Sequence, residues 1–230
     1  LTLTDVDTLN GDITVSSTTG NITVSDVEDV NGGNKITLDS VAGNINDSTA
    51  TVEVITGGSL RMNAGAGIVT LNTAVGNLAA ETEEGDLEVY NTGALTVTTV
   101  NGLSGVTITD TTDDNTTGSI EVTSSTGGLT VSGAVVNNDA GSITLAAEGT
   151  AAGDSVSVGA NVSALGGNGA IDLYAGGSIS QTSGTVSSAG SGAITLQAGT
   201  DYNSGTVGAG NAAGSVSQTD TLTISSSSGT

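Results

Sequence analysis

The side chains through which this chain could do most chemistry are carboxylates. Asp26, Glu28 and Asp29 form one cluster, Glu81, Glu83, Glu84, Asp86 and Glu88 a second, and Asp110, Asp113 and Asp114 a third. Hard cations take such oxygens together with backbone carbonyls, so calcium at these acidic loops is the cofactor to consider. The competing reading is a solvated acidic face that maintains solubility. Of the three clusters, Asp110–Asp113–Asp114 falls in an expected loop and is the first to test. A pair of carboxylates is also the minimum equipment of a glycoside hydrolase. A polysaccharide lyase, by contrast, needs a base and charge-stabilising cations, and here histidine is absent and the only cations are Lys35 and Arg61, 26 positions apart. Tyr90, Tyr174 and Tyr202 are the sole aromatic residues, so platforms for a bound sugar are scarce. On this chemistry the chain is expected not to be an enzyme. No catalytic residue, cofactor-binding residue or metal ligand is assigned.

Hydroxyls and amides offer weaker signals. Thr96-Val97-Thr98, Thr107-Ile108-Thr109 and Thr221-Leu222-Thr223 carry paired threonines of the sort an ice-binding face displays. Glu53, Glu88, Glu121 and Asp172 would interrupt that face, and threonine is an ordinary residue on a strand surface. Glycosylation sequons begin at Asn21, Asn46, Asn115 and Asn161. Of these, Asn115 is the one expected on a loop.

Composition narrows the partners. With 2 basic against 24 acidic residues the formal net charge is −22, which disfavours nucleic acid and anionic lipid by Coulomb repulsion. Membrane insertion is not expected, because no apolar run is long enough to span a bilayer. Absence of cysteine removes disulfides and thiolate metal sites. The first residue is Leu1 and no basic, apolar leader follows it, so the chain is expected to be a processed product or a segment of a longer protein.

What must position any site is a repeat. Glycine, one residue of any type, an aliphatic, a polar residue and a second aliphatic recur in Gly11-Asp12-Ile13-Thr14-Val15, Gly20-Asn21-Ile22-Thr23-Val24 and Gly85-Asp86-Leu87-Glu88-Val89. Further copies run from Gly93 to Val97, Gly118 to Val122, Gly141 to Leu145, Gly169 to Leu173 and Gly192 to Leu196. Aliphatics two apart mark one face of a strand, and the preceding glycine marks a corner. Gly58, Gly67, Gly76 and Gly85 are nine apart, while Gly118 to Gly141 and Gly169 to Gly192 are 23 apart, which points to two major strands per coil. The expected fold is therefore all-β, a single right-handed parallel β-helix (β-solenoid) over 1–230 with about nine or ten coils, and a rod of roughly 45 Å at ~4.8 Å per coil. The aliphatics would stack inside in columns. Thr14, Thr23, Thr37, Thr96, Thr130, Thr144 and Thr195 would form ladders outside. Insertions at Asp110 to Thr117, Thr150 to Asp154 and Ala198 to Ala213 would leave as loops from corners. Asn10-Gly11, Asn31-Gly32 and Asn101-Gly102 are read as corners rather than hairpins.

In Ala175-Gly176-Gly177-Ser178-Ile179-Ser180-Gln181-Thr182 and Gly192-Ala193-Ile194-Thr195-Leu196-Gln197-Ala198-Gly199, the chain resembles the repeat region of filamentous haemagglutinin-type adhesins, the exoproteins of two-partner secretion. That resemblance implies a structural, adhesive shaft of an exported bacterial surface or secreted protein. It would act extracellularly or at the cell surface, in attachment, biofilm formation or cell–cell contact. The implied partners are a host or neighbouring cell surface, glycans or matrix. Strand-like ends keep a second reading open, a self-assembling extracellular filament built by end-to-end association. A glycan-active enzyme and an ice-binding module are more distant.

Overall fold

The computed structural model describes residues 1–48, 54–110, 117–203, 206–208, 214–218 and 223–226. It is a parallel β-helix. A 24-stranded sheet holds every strand except two short antiparallel pairs, and 11 of its parallel strands carry it through 312° about one axis, so that it nearly closes. One column of strands, each hydrogen-bonded to the next, runs Thr2–Leu3, Ile22–Val24, Ile45–Asp47, Ile68–Thr82, Leu87–Asn91, Ile120–Ser124, Ile143–Ala147, Ile171–Ala175 and Ile194–Ala198. One strand per coil makes nine coils among the described residues.

Seven of the nine coils have three strands where two major ones were expected, while the coil from Ile45 has two and Ile68–Thr82 is one continuous strand. In the coil after Gly118 the three are Ile120–Ser124, Leu129–Val131 and Val135–Asn137, and the next coil repeats them in register as Ile143–Ala147, Val156–Val158 and Val162–Ala164. The third strand, Val135–Asn137, has adjacent valines and then an asparagine in place of the aliphatic, polar, aliphatic order, which is why counting phrases misses it. Glycines nine apart mark half of an 18-residue coil: Ile55 pairs with Thr73 and Leu60 with Leu78.

The aliphatic columns are inside. Ile36, Leu38, Leu60, Met62, Leu87, Val89, Ile143, Leu145, Ile171 and Leu173 have no solvent exposure. Val15, Ile194 and Leu196, on the outer coils, are half-buried and pack against the same core. Parallel strands covered on their inner face by branched aliphatics form such a core without aromatics.

At the corner, the residue just before the first aliphatic of a strand is not arbitrary. The side-chain oxygens of Asp12, Asn21, Asp86, Ser119, Ser155 and Asn161 each accept the backbone N–H of the equivalent residue one coil further on, at 2.9–3.2 Å. These clasps fix coil register at the corner, where the sheet ladder is interrupted. Replacing Asp86 by alanine removes the acceptor for Ser119 N–H, with an expected cost of about 1–2 kcal/mol and a fall in Tm of roughly 2–6 °C. Thermal unfolding of Asp86→Ala beside a variant of the exposed Asp5 checks this.

Two insertions form antiparallel hairpins. Thr99–Val100 pairs with Leu103–Ser104 around Asn101 and Gly102, whose φ values of 49° and 82° give the primed turn that hairpins favour. Asn101-Gly102 is therefore a true hairpin tip, not a coil corner. Its Asn101 Nδ2 donates to Thr37 Oγ1 at 2.9 Å, which explains why Thr37, expected in an outer ladder, is buried. The second hairpin, Asp201–Asn203 with Thr206–Gly208, lies within the expected Ala198 to Ala213 loop. Among the described residues, no helix is long and apolar enough to cross a membrane.

Candidate functional site: a tyrosine and carboxylate face

Strands of the first column present alternate side chains outward. Register places Glu88, Glu121, Thr144, Asp172 and Thr195 in one outer column, and Asn72, Tyr90, Thr123, Ala146, Tyr174 and Gln197 in its neighbour. Tyr90 and Tyr174 share a column because each directly follows the second aliphatic of its phrase. Tyr202 joins them from the second hairpin, where Asp201 Oδ1 accepts Gly149 N–H at 3.4 Å. Its ring stacks on Tyr174 with centroids 4.7 Å apart and planes 7° from parallel, and its hydroxyl donates to Glu121 Oε1 at 3.0 Å. Ala146, between them in the column, is small and fully buried, which leaves room for a ring to cross that coil. All three aromatic residues of the chain thus meet on one flank.

Glu121 also accepts a hydrogen bond from the Tyr90 hydroxyl, so one carboxylate is gripped by two phenols. Burial, then the charges of Glu121 and Glu88, pushes the Tyr90 phenol well above its ordinary value of 10.0. Burial and then Asp172 push Tyr174 upward as well. The sign follows directly. A raised phenol pKa costs nothing below pH 10, where folded and unfolded tyrosines are both neutral. Above pH 10 the unfolded chain ionises first, and stability is lost as pH rises toward the folded values. Ultraviolet titration should therefore find the Tyr90 and Tyr174 phenolates appearing only as the fold is lost. Ionisation of all tyrosines together near pH 10 in the folded chain would contradict this packing.

Beside Tyr90 lies a cavity of about 360 Å³, lined among others by Thr70, Asn72, Tyr90, Thr92, Thr123 and Glu148. Its edge is a β-bulge: Leu87 pairs with Ile68 but Val89 with Leu71, so two residues oppose Glu88. Thr70, in that bulge, holds φ at 48°, a left-handed conformation that β-branched residues rarely adopt. The bulge re-aims its hydroxyl, which donates to Glu88 Oε2 at 2.8 Å. Thr123 is 1% exposed, and its Oγ1 has no hydrogen-bond partner among the described residues.

The acidic clusters fare differently. Asp29 is occupied: Asn34 N–H donates to its Oδ2 at 2.6 Å and Asn34 Nδ2 to its Oδ1 at 2.8 Å, and the backbone bond from Asn34 is the main cause holding its carboxyl below the usual 3.8. Asp86 serves as a register clasp and Glu88 binds Thr70. Asp113 and Asp114, like the sequon Asn115, Glu53 and the Thr221-Leu222 pair, lie outside the described residues. Among the described residues, no group of three or more acidic side chains is arranged to hold a metal ion.

Lys35 and Arg61, distant in sequence, are one coil apart in space, on strands that pair Lys35 with Ser59 and Thr37 with Arg61. Arg61 is ion-paired to Asp39. Both cations lie on strands Lys35–Ser40 and Ile55–Ala64, outside the column segments that carry Tyr90 and Tyr174, and neither lines the cavity. Asn21 and Asn161, two of the sequon asparagines, use their side-chain oxygens as register clasps. Comparison with protein families, with curated proteins and with solved structures returns no match for this chain.

Proposed function

We propose that this chain is part of the structural, adhesive shaft of an exported bacterial surface or secreted protein, of the kind its filamentous haemagglutinin-like phrases imply. It acts extracellularly, in attachment to a cell surface or matrix. The observation that carries the reading is the unbroken stack of clasped parallel coils. Such a stack is a quasi-one-dimensional rod whose length grows by repetition and whose flanks are available for contact. A cysteine-free chain suits folding after export, since it needs no oxidative step. The half-buried Tyr90 and Tyr174, with buried Tyr202 stacked behind Tyr174, supply a contact surface of the aromatic composition that interfaces favour.

The test is attachment. Beads coated with the purified chain should be retained on bacterial or epithelial cell layers above beads coated with an unrelated protein of similar net charge. Equal retention would remove the adhesive reading.

A further inference from the structure

The cavity beside Tyr90 has a wall, a rim and one conspicuous vacancy in its hydrogen bonding. Its volume of about 360 Å³ lies in the range of small-ligand sites. Tyr90 contributes an aromatic ring with a polar tip. Thr70, Asn72 and Thr92 contribute hydroxyls and an amide, and Glu148 a carboxylate. A buried hydroxyl without a partner costs about 1–3 kcal/mol, and Thr123, a residue of the cavity lining, carries such a group in its Oγ1. A strained threonine, Thr70, sits at the same edge. Close packing does not require either feature, and a ligand bearing hydroxyl groups would satisfy the first.

Charge selects the ligand further. The chain carries −22, Glu148 lines the cavity, and Glu88 and Glu121 lie on the same flank. Neither of the two cations lines it. Phosphate, sulfate, uronate and sialate groups would be repelled with nothing to pair them. What fits is an uncharged molecule with an apolar face for the Tyr90 ring and several hydroxyls that both donate and accept. Those are the properties of a neutral sugar ring, whose C–H face packs on an aromatic and whose hydroxyls pair with amide, hydroxyl and carboxylate.

We infer that the groove formed by Tyr90, Thr70, Asn72, Thr123 and Glu148 is a binding subsite for a neutral saccharide, with Thr123 Oγ1 hydrogen-bonded to the sugar. This deepens the adhesive reading and rests on it for its biological purpose, although the chemistry of the groove stands separately. Glu121, gripped by Tyr90 and Tyr202, is a positioning residue that holds the Tyr90 ring.

The experiment titrates the purified full chain with neutral tetrasaccharides (cellotetraose, chitotetraose and a galactotetraose) and with two anionic probes, oligogalacturonate and a heparin tetrasaccharide. Intrinsic tyrosine fluorescence and saturation-transfer NMR report binding. At least one neutral probe should bind and the anionic ones should not. Thr123→Val should weaken that binding about fivefold to tenfold while raising, or leaving unchanged, the Tm of the free chain. A purely structural threonine would not separate those two readouts. Tyr90→Ala should weaken binding further, and Ser157→Ala, on another strand column, should leave it intact. Failure of every neutral probe to bind, binding of anionic probes alone, or unchanged binding in both Thr123→Val and Tyr90→Ala would overturn the proposal. Bead attachment separates the two ideas. Sugar binding without attachment removes the adhesive role and keeps the groove, whereas attachment that persists without sugar binding does the reverse.

Discussion

Replacing Gly105 by alanine should destabilise the chain by more than about 4 kcal/mol, among the largest effects of any single methyl group in this fold. Gly105 is where the chain re-enters the coil after the Asn101-Gly102 hairpin. Its N–H donates to Thr98 O and its carbonyl accepts from Ala80 N–H, both at 2.9 Å. Its φ is +78°, and an added Cβ would stand 1.9 Å from Ala134 O, a backbone atom of the adjacent coil. Left-handed backbone alone costs about 1–2 kcal/mol in an L-residue. The clash adds to this, because relief requires two coils to move apart and the strand Val106–Ile108 to loosen from Val135–Asn137. A fall in Tm of roughly 8–16 °C is expected for a chain of this length. By contrast Gly20, where an added Cβ meets nothing within 4 Å and φ is not positive, should accept alanine with little change. Equal melting of the two variants would show that coils do not approach at Gly105.

Asn137→Leu is the second large effect. Asn137 is fully buried, and its Nδ2 donates to Gly118 O at 2.9 Å and to Gly141 O at 3.0 Å while its Oδ1 accepts Asp139 N–H at 2.9 Å. Leucine of similar size leaves three backbone groups without these partners in an interior that water does not reach. At about 1–3 kcal/mol for each unsatisfied group, a loss of roughly 3–6 kcal/mol is expected, partly offset by the hydrophobic gain of the new side chain. Urea unfolding should show a lowered midpoint for Asn137→Leu and no such shift for a variant of the exposed Asn203. An unchanged midpoint would mean that the Asn137 corner does not hold the coil after Gly118.

These two residues also mark where the sequence is easy and hard to read. Aliphatics two apart, bounded by glycine, report strand faces and corners directly, and so the core residues Ile36 to Leu173 were legible. Alternation of aliphatics does not count the strands that close a coil, since Val135–Asn137 turns an asparagine inward where the phrase has its second aliphatic. Nor does it separate a corner from a hairpin. Asn101-Gly102 satisfies both, and the difference lies in whether the chain returns antiparallel on itself. The clasps were hidden because Asp, Asn and Ser at corners look like ordinary turn residues, and only the coil-to-coil register assigns the backbone N–H that each accepts.

The tyrosine flank was half legible. Tyr90 and Tyr174 occupy the same place in their phrases, so stacking the phrases brings them into one column. Tyr202 gives no such signal, because it reaches the flank through an insertion hairpin. Its partner Glu121 is 81 positions away. The cavity itself depends on the bulge at Thr70, which no spacing rule anticipates.

The claim on which all of this depends is parallel, in-register coiling, and an engineered cross-link tests it most directly. The chain has no cysteine, so a pair introduced at Thr130 and Ser157, direct neighbours across adjacent coils, reports one contact without competition. Parallel neighbours at ~4.8 Å meet the Cα separation that a disulfide needs. The account predicts rapid, near-complete disulfide formation in Thr130→Cys/Ser157→Cys under mild oxidation of the folded monomer. It predicts none in Thr130→Cys/Ser180→Cys, where the second residue lies one coil further on. Failure of the first pair to close, or equal closure of both, would contradict the β-helix and the groove built on it.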